Sequence, residues 1–172
     1  MEKRLNALEV ALNNELRERE FYLTHAERTQ NSLTKAMFEQ IAGEENEHYD
    51  RLLQIHENWS KQKKWPETVP LRVKDTIVRD VLKNMLRNAA RLPAGDVSDL
   101  EAIRTAIEFE GKGAKYYAEL RDEVPNTKEK AFFGLLADIE YEHFKSLKDT
   151  EEFLLDPAQW YRKHESTGLD GA

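Results

Sequence analysis

The feature that most constrains this chain is that it repeats itself. Displacing the sequence by 95 residues lays 106–150 over 11–55 without a gap. Ala11 then falls on Ala106, Glu15 on Glu110, Tyr22 on Tyr117, Phe38 on Phe133 and Ala42 on Ala137. Further along, Glu45 falls on Glu140, Glu47 on Glu142, His48 on His143 and Leu52 on Leu147. Each half therefore carries Glu-x6-Tyr and, later, Glu-x-x-His. A single Glu-x-x-His is common by chance, whereas four polar positions matched at one offset are not. A chain built this way calls for a fold with two similar halves.

Each half reads as a helical hairpin. Residues 3–28 hold apolar positions at helical spacing, and Asn31-Ser32 offers a cap for a second helix reaching about Trp59. The stretch 60–70, with Lys61, Lys63, Lys64 and two prolines, has no apolar period and reads as a solvated connection. Asp75 is a candidate cap for a short helix presenting Ile77, Val81, Met85 and Ala89, ended by Leu92-Pro93-Ala94-Gly95-Asp96. A capping box, Ser98 to Glu101, starts a third long helix that reaches about Glu123. Beyond Pro125, Asn126 with Glu129 starts a fourth that runs to about Leu155, and Asp156-Pro157 opens a terminal turn containing Trp160 and Tyr161. Short turns make antiparallel hairpins, and the long middle segment makes a crossover between them. The expected fold is all-α: one domain, a four-helix bundle with hairpin 1 at about 3–59, a crossover with a short helix at 60–97, hairpin 2 at about 98–155, and a short C-terminal segment, 156–172. Only 7 Gly and 5 Pro in 172 residues agree with a helical chain of ordinary domain size.

The repeated polar residues lie in the wrong place for a simple bundle. The second helix has the stripe Met37, Ile41, Glu45, His48, Leu52, Ile55, and the fourth has Phe132, Leu136, Glu140, His143, Leu147. The third gives Ile103, Ile107, Glu110, Ala114, Tyr117; the first gives Leu8, Leu12, Glu15, then Arg19 as a departure, then Tyr22. Four glutamates and two histidines thus interrupt the apolar stripes midway. Buried unpaired carboxylates cost several kcal/mol each or take up protons. Two divalent cations balance four carboxylates. Glu and His three apart share a helix face, so each Glu-x-x-His can hold one ion, with Glu15 and Glu110 completing the shells. An oxygen-rich set with two imidazoles suits iron or manganese rather than copper or structural zinc.

The chain has no cysteine, which excludes disulfides, thiolate-held zinc, iron–sulfur and rubredoxin-type iron centres, and thiol nucleophiles. A net charge of −7 disfavours nucleic acid as a partner. The charged N-terminal residues lack a signal-peptide pattern, and no long apolar run suggests a membrane span, so a cytoplasmic protein is expected.

On Glu15…Tyr22, Glu44-Glu45-Asn46-Glu47-His48, Glu110…Tyr117 and Glu140-Tyr141-Glu142-His143, the sequence resembles the ferritin-like di-iron carboxylate family, most closely rubrerythrins without a rubredoxin domain. The tail residues Asp156–Tyr161 and Gly168–Ala172 add lightly to the likeness. The resemblance implies that Glu45 and Glu140 bridge two irons, with Glu15 and His48, and Glu110 and His143, as terminal ligands. It also implies that Tyr22 and Tyr117 steady carboxylates; as plain core aromatics they would need no such role. Manganese or a mixed pair fits the same ligands. Asn46 stands where a haem-binding relative would need Met, so no haem is expected. One departure is Gly113, near where the family brings a further glutamate from the third helix.

Other residues have plainer readings. Glu44, Glu47 and Glu142 are expected to face solvent, and His25, His56 and His164 to lie on the surface. Gly111 and Gly113 either let helices pack closely or open a path to the metals, with packing favoured. A purely structural polar layer is the bland account of the six polar residues. The functional expectation is a di-iron oxidoreductase that reduces hydrogen peroxide or O2, protecting against oxidative stress. Its electrons would come from a separate donor such as a rubredoxin, since the 172 residues hold no second redox centre. A homodimer is expected. The alternative is a ferritin- or bacterioferritin-like protein that oxidises and stores ferrous iron.

Overall fold

The computed structural model describes residues 2–62, 74–87 and 92–165. Within them the helices are α1 (Glu2–Arg28), α2 (Ser32–Gln62), α3 (Val78–Leu86), α4 (Val97–Glu123), α5 (Thr127–Leu155) and α6 (Pro157–Glu165), and no strand occurs among the described residues. The expected positions of Lys63, Lys64, Ala89 and the tail Gly168–Ala172 lie outside the described residues.

The two hairpins form as their caps dictate. Asn31 Oδ1 accepts from the backbone N–H groups of Leu33 and Thr34 at 3.0 and 3.1 Å, which starts α2. Asn126 Oδ1 does the same for α5, accepting from Lys128 and Glu129. α1 packs along α2 and α4 along α5, with further contacts between α1 and α4 and between α2 and α5. Tyr22 meets Glu110 while Tyr117 meets Glu15, so α1 and α4 run antiparallel.

Three local expectations are corrected. α4 begins at Asp96, not at Ser98: Asp96 accepts from Asp99 N at 2.8 Å, and Asp99 reciprocates to Asp96 N. An earlier acidic cap with its own reciprocal partner wins over Ser98 because it also complements the helix dipole. α3 begins at Val78, with no side-chain cap, and Asp75 bonds only Thr76 N. The buried face of α3 is Val78, Leu82 and Leu86, while Ile77 is exposed. Its apolar residues form two adjacent stripes; docking against α2 and α5 buries the second, while Val81 and Met85 of the first pack partly buried on the same cluster. Finally, the terminal turn is a helix, α6, started by Asp156 Oδ1 accepting from Gln159 N and packed through Trp160 and Tyr161 on Phe153.

The end of the crossover is pinned. Gly95 N donates to Leu154 O at 3.1 Å, and a methyl on Gly95 would stand 3.0 Å from Leu154 Cβ, so this close approach favours glycine. Asn31 Nδ2 donates to Pro93 O, and Thr29 Oγ1 to Asp99, tying the end of the crossover and the start of α4 to the α1–α2 turn.

Two apolar clusters fill the bundle. One gathers Tyr22, Leu33, Phe38, Val78, Leu82, Ile103 and Phe153. The other gathers Leu8, Leu52, Ile55, Tyr117, Phe132 and Leu136. Along every long helix the repeated polar residues fall between the members of one cluster and those of the other. The polar layer is thus sealed at both ends by hydrocarbon.

Candidate metal centre

Each of the four long helices delivers its polar residue to the same layer. Glu15, Glu45, Glu110 and Glu140 are at most 1% exposed, and His48 and His143 at most 2%. They form two overlapping sets: Glu15, Glu45, His48 and Glu140, and Glu45, Glu110, Glu140 and His143. Within each set one ligand atom per residue lies within 4.8 Å of all the others. Bonds of about 2.0–2.3 Å to a first-row cation put opposite ligands about 4–4.6 Å apart, so each set has the span of one ion. Glu45 and Glu140 belong to both.

The distances show the same sharing. His48 Nδ1 lies 3.2 Å from Glu15 Oε2, 3.2 Å from Glu45 Oε2 and 3.3 Å from Glu140 Oε1. His143 Nδ1 lies 3.2 Å from Glu110 Oε2 and 3.3 Å from Glu45 Oε1. The two oxygens of Glu45 are therefore divided between the two histidines. The imidazoles are nearly parallel, 17° apart, with centroids 6.2 Å from each other.

Protein groups alone do not satisfy this layer. Glu45 Oε1 and both oxygens of Glu140 are buried without a hydrogen-bond partner; their near histidine nitrogens lie off the bonding direction. Orphaned carboxylate oxygens of this kind are costly, and a cation is the group that would satisfy them. The residues present fit a metal pair.

Charge tells the same story. Burial, reinforced by the negative charge of Glu45, pushes the Glu15 carboxyl up to about 8. Burial and the charges of Glu45 and Glu110 raise Glu140 well above the carboxylate range. Glu45 goes the other way: burial alone would raise it, but the charge of His48, the close approach of the His143 imidazole and the hydrogen bond to His48 hold it low. Burial would lower both imidazoles, yet Glu45 raises His48 and Glu110 raises His143. Protons collect here in the metal-free protein because the layer wants positive charge.

Around the six, Tyr22 donates to Glu110 Oε1 and Tyr117 to Glu15 Oε1, each tyrosine reaching across to the other hairpin. Both hydroxyls are raised, first by burial and then by the carboxylate each one faces. Arg19, the break in the α1 stripe, turns outward and donates to Asn46 at 2.7 Å.

Two further acidic residues lie beside the layer. Glu44, expected to face solvent, is instead 14% exposed and takes His143 Nε2 at 2.6 Å. Its other oxygen accepts from Gln40 Nε2 at 2.7 Å and from Ile77 N at 3.2 Å, linking the crossover to the centre. The signal for it was its place one residue before Glu45, within reach of the neighbouring α5. Glu18 is also buried, three residues after Glu15 and so on the same face. Burial and the charges of Glu45, Glu110 and Glu15 raise its carboxyl well above the usual range. Glu47 and Glu142 stay at the edge, bonded to Lys74 N and Lys145. His56 faces Glu9, and His164 stacks on Trp160, both away from the layer. His25 is half-buried rather than on the surface, its ring 4.3 Å from that of Phe21.

Comparison with protein families matches residues 6–90 to the family described as Rubrerythrin. Comparisons with curated proteins and with solved structures gave no match. No helix among the described residues is long and apolar enough to cross a membrane. The family match covers hairpin 1 and most of the crossover, and hairpin 2 repeats the same residues at a fixed offset around one shared carboxylate–histidine layer. Residues 6–90 belong to the rubrerythrin family, and the chain as a whole is consistent with a rubrerythrin-like, ferritin-like protein.

Proposed function

We propose that this protein is a di-iron oxidoreductase that reduces hydrogen peroxide or O2 with electrons from a separate donor protein. For peroxide the reaction is H2O2 + 2 H+ + 2 e− → 2 H2O, the two electrons coming from the donor. The observation that carries this reading is the pair of buried ligand sets sharing Glu45 and Glu140. A bound iron pair would supply two electrons together and act as a Lewis acid toward the O–O bond.

The chain's own residues do the rest. Glu15 and His48 would hold one ion, Glu110 and His143 the other, with Glu45 and Glu140 between them. Tyr22 and Tyr117 fix the rotamers of Glu110 and Glu15 by donating to one oxygen of each, which leaves the other oxygen for a metal. Glu44 fixes the ring of His143 from behind and so aims Nδ1 at the layer. The apolar clusters on either side keep bulk water out. Glu18, buried on the same face of α1 as Glu15, places a further carboxyl beside the layer.

The test is to load the protein with ferrous iron without oxygen, measure metal per chain, and add peroxide. The reading expects about two irons per chain and oxidation faster than that of free ferrous iron. Reoxidation no faster than in buffer would overturn it. Light scattering on the same sample expects a dimer, and a large hollow assembly that retains iron would favour storage instead.

A further inference from the structure

The repeat breaks at a buried position. Glu18 on α1 corresponds to Gly113 on α4, and both line one cavity of about 310 Å3. The cavity sits between α1 and α4, walled by Asn14 and Phe109, with exposed Arg17 and Lys112 at its rim.

Its inner wall is one backbone thick. A methyl on Gly113 would stand 3.0 Å from Glu140 Oε2, an oxygen that is buried and without a hydrogen-bond partner. Position 113 therefore points directly at the carboxylate shared by both ligand sets. Glycine inside a helix costs stability relative to alanine, so its presence needs a reason. What a side chain here would meet is the Glu140 side chain, its carboxylate oxygen first, rather than a neighbouring backbone. Gly111 is different: a methyl there would meet Phe144 at 3.5 Å, an ordinary contact. Opposite Gly113, Glu18 is 9% exposed and, among the described residues, forms no hydrogen bond or ion pair.

We propose that this cavity is the port by which a peroxide-sized solute reaches the carboxylate–histidine layer, passing between Glu18 and Gly113 to the Glu140 side. The repeat relates the two walls of this cavity to each other: α1 carries Glu18 on one wall where α4 carries Gly113 on the other, so the wall without a side chain is the one that faces Glu140. The port gives the symmetric centre one entrance. The inference rests on reading the layer as a metal pair, and the experiment separates the two.

The probe is azide, mixed with the oxidised iron-loaded protein in a stopped-flow instrument and followed by its charge-transfer absorbance. Iron per chain is measured on the same samples. Gly113→Val blocks the inner end, Asn14→Trp fills the outer wall without touching a proposed ligand, and Gly111→Ala is the control. The port predicts that both blocking variants slow azide association by about tenfold or more, while the control stays within about twofold. Wild-type association in a blocking variant that keeps about two irons overturns the proposal. Should Gly113→Val lose iron, Asn14→Trp decides alone. A wild-type protein that takes up no iron overturns the metal reading, and the port with it.

Discussion

Replacing Tyr117 with phenylalanine removes one hydroxyl from a packed site and little else. The ring is 2% exposed and stacks on Phe133 with centroids 6.3 Å apart, contacts that phenylalanine preserves. What disappears is the hydrogen bond to Glu15 Oε1. A hydrogen bond to a charged group contributes about 1.5–3 kcal/mol, and one between neutral groups about 1 kcal/mol. Which value applies depends on Glu15. In the metal-free protein its carboxyl is pushed up to about 8, so at pH 7 it is mostly neutral and the loss is about 1 kcal/mol. A bound cation would make it a carboxylate, and the loss becomes about 2–3 kcal/mol. A chain of this size melts about 2–4 °C lower per kcal/mol. Tyr117→Phe should therefore lower Tm by about 2–4 °C without metal and about 4–12 °C with it. Tyr22→Phe removes the matching bond to Glu110 in the other hairpin. Calorimetry on both forms reads the difference. Equal losses with and without metal would refute the argument that Glu15 changes charge on binding. No loss in either form would refute the hydrogen bond itself, and a double-mutant cycle with Glu15→Gln would then show no coupling.

Three further outcomes follow from the same layer. Glu45→Gln combined with Glu140→Gln should take metal content from about two ions per chain to below about one, with helical circular dichroism retained; unchanged content would remove both residues from the ligand set. Without metal, stability should fall as pH rises from about 5 to 8. The folded Glu15 carboxyl, up at about 8 from 4.5, binds protons that the unfolded chain has released, and the raised imidazoles act in the same direction, while the lowered Glu45 acts only below its ordinary range. The effect is on the order of a few kcal/mol, read by chemical denaturation at each pH, and a flat profile would contradict it. Glu44→Gln should weaken one of two metal sites by about 10–100-fold and spare the other. A calorimetric titration in which both sites weaken equally would mean that Glu44 does not act through His143.

The residues of the centre are legible in the sequence because they break a pattern. Glu15, Glu45, Glu110 and Glu140 stand at positions where the helical period demands hydrocarbon, and the offset of 95 residues repeats the violation. The four long helices are legible for the complementary reason, since their stripes are long and their caps local. α3 is less so. Its paired stripes, Ile77-Val78, Val81-Leu82 and Met85-Leu86, fit either face, and only the neighbours α2 and α5 choose between them. The start of α4 is missed because Asp96 and Ser98 are both competent caps and the reciprocal bond from Asp99 decides.

Glu18 and Glu44 escape for a reason that bears on function. A search by symmetry finds what two halves share and passes over what they do not. Glu18 falls on Gly113, and Glu44 falls on Ile139. These two mismatches touch the layer from different sides. Glu44 clamps His143 at 2.6 Å and is itself held by Ile77 N of the crossover, whereas Ile139 cannot offer His48 the same support. One imidazole is thus braced from behind, and the other, among the described residues, is held by the carboxylates in front of it. Glu18 and Gly113 break the remaining equivalence by placing the cavity beside Glu140. A two-electron step at a centre with equal halves has no preferred side for oxidant or proton. The shared residues build the layer and balance its charge, and the unshared ones give it a direction.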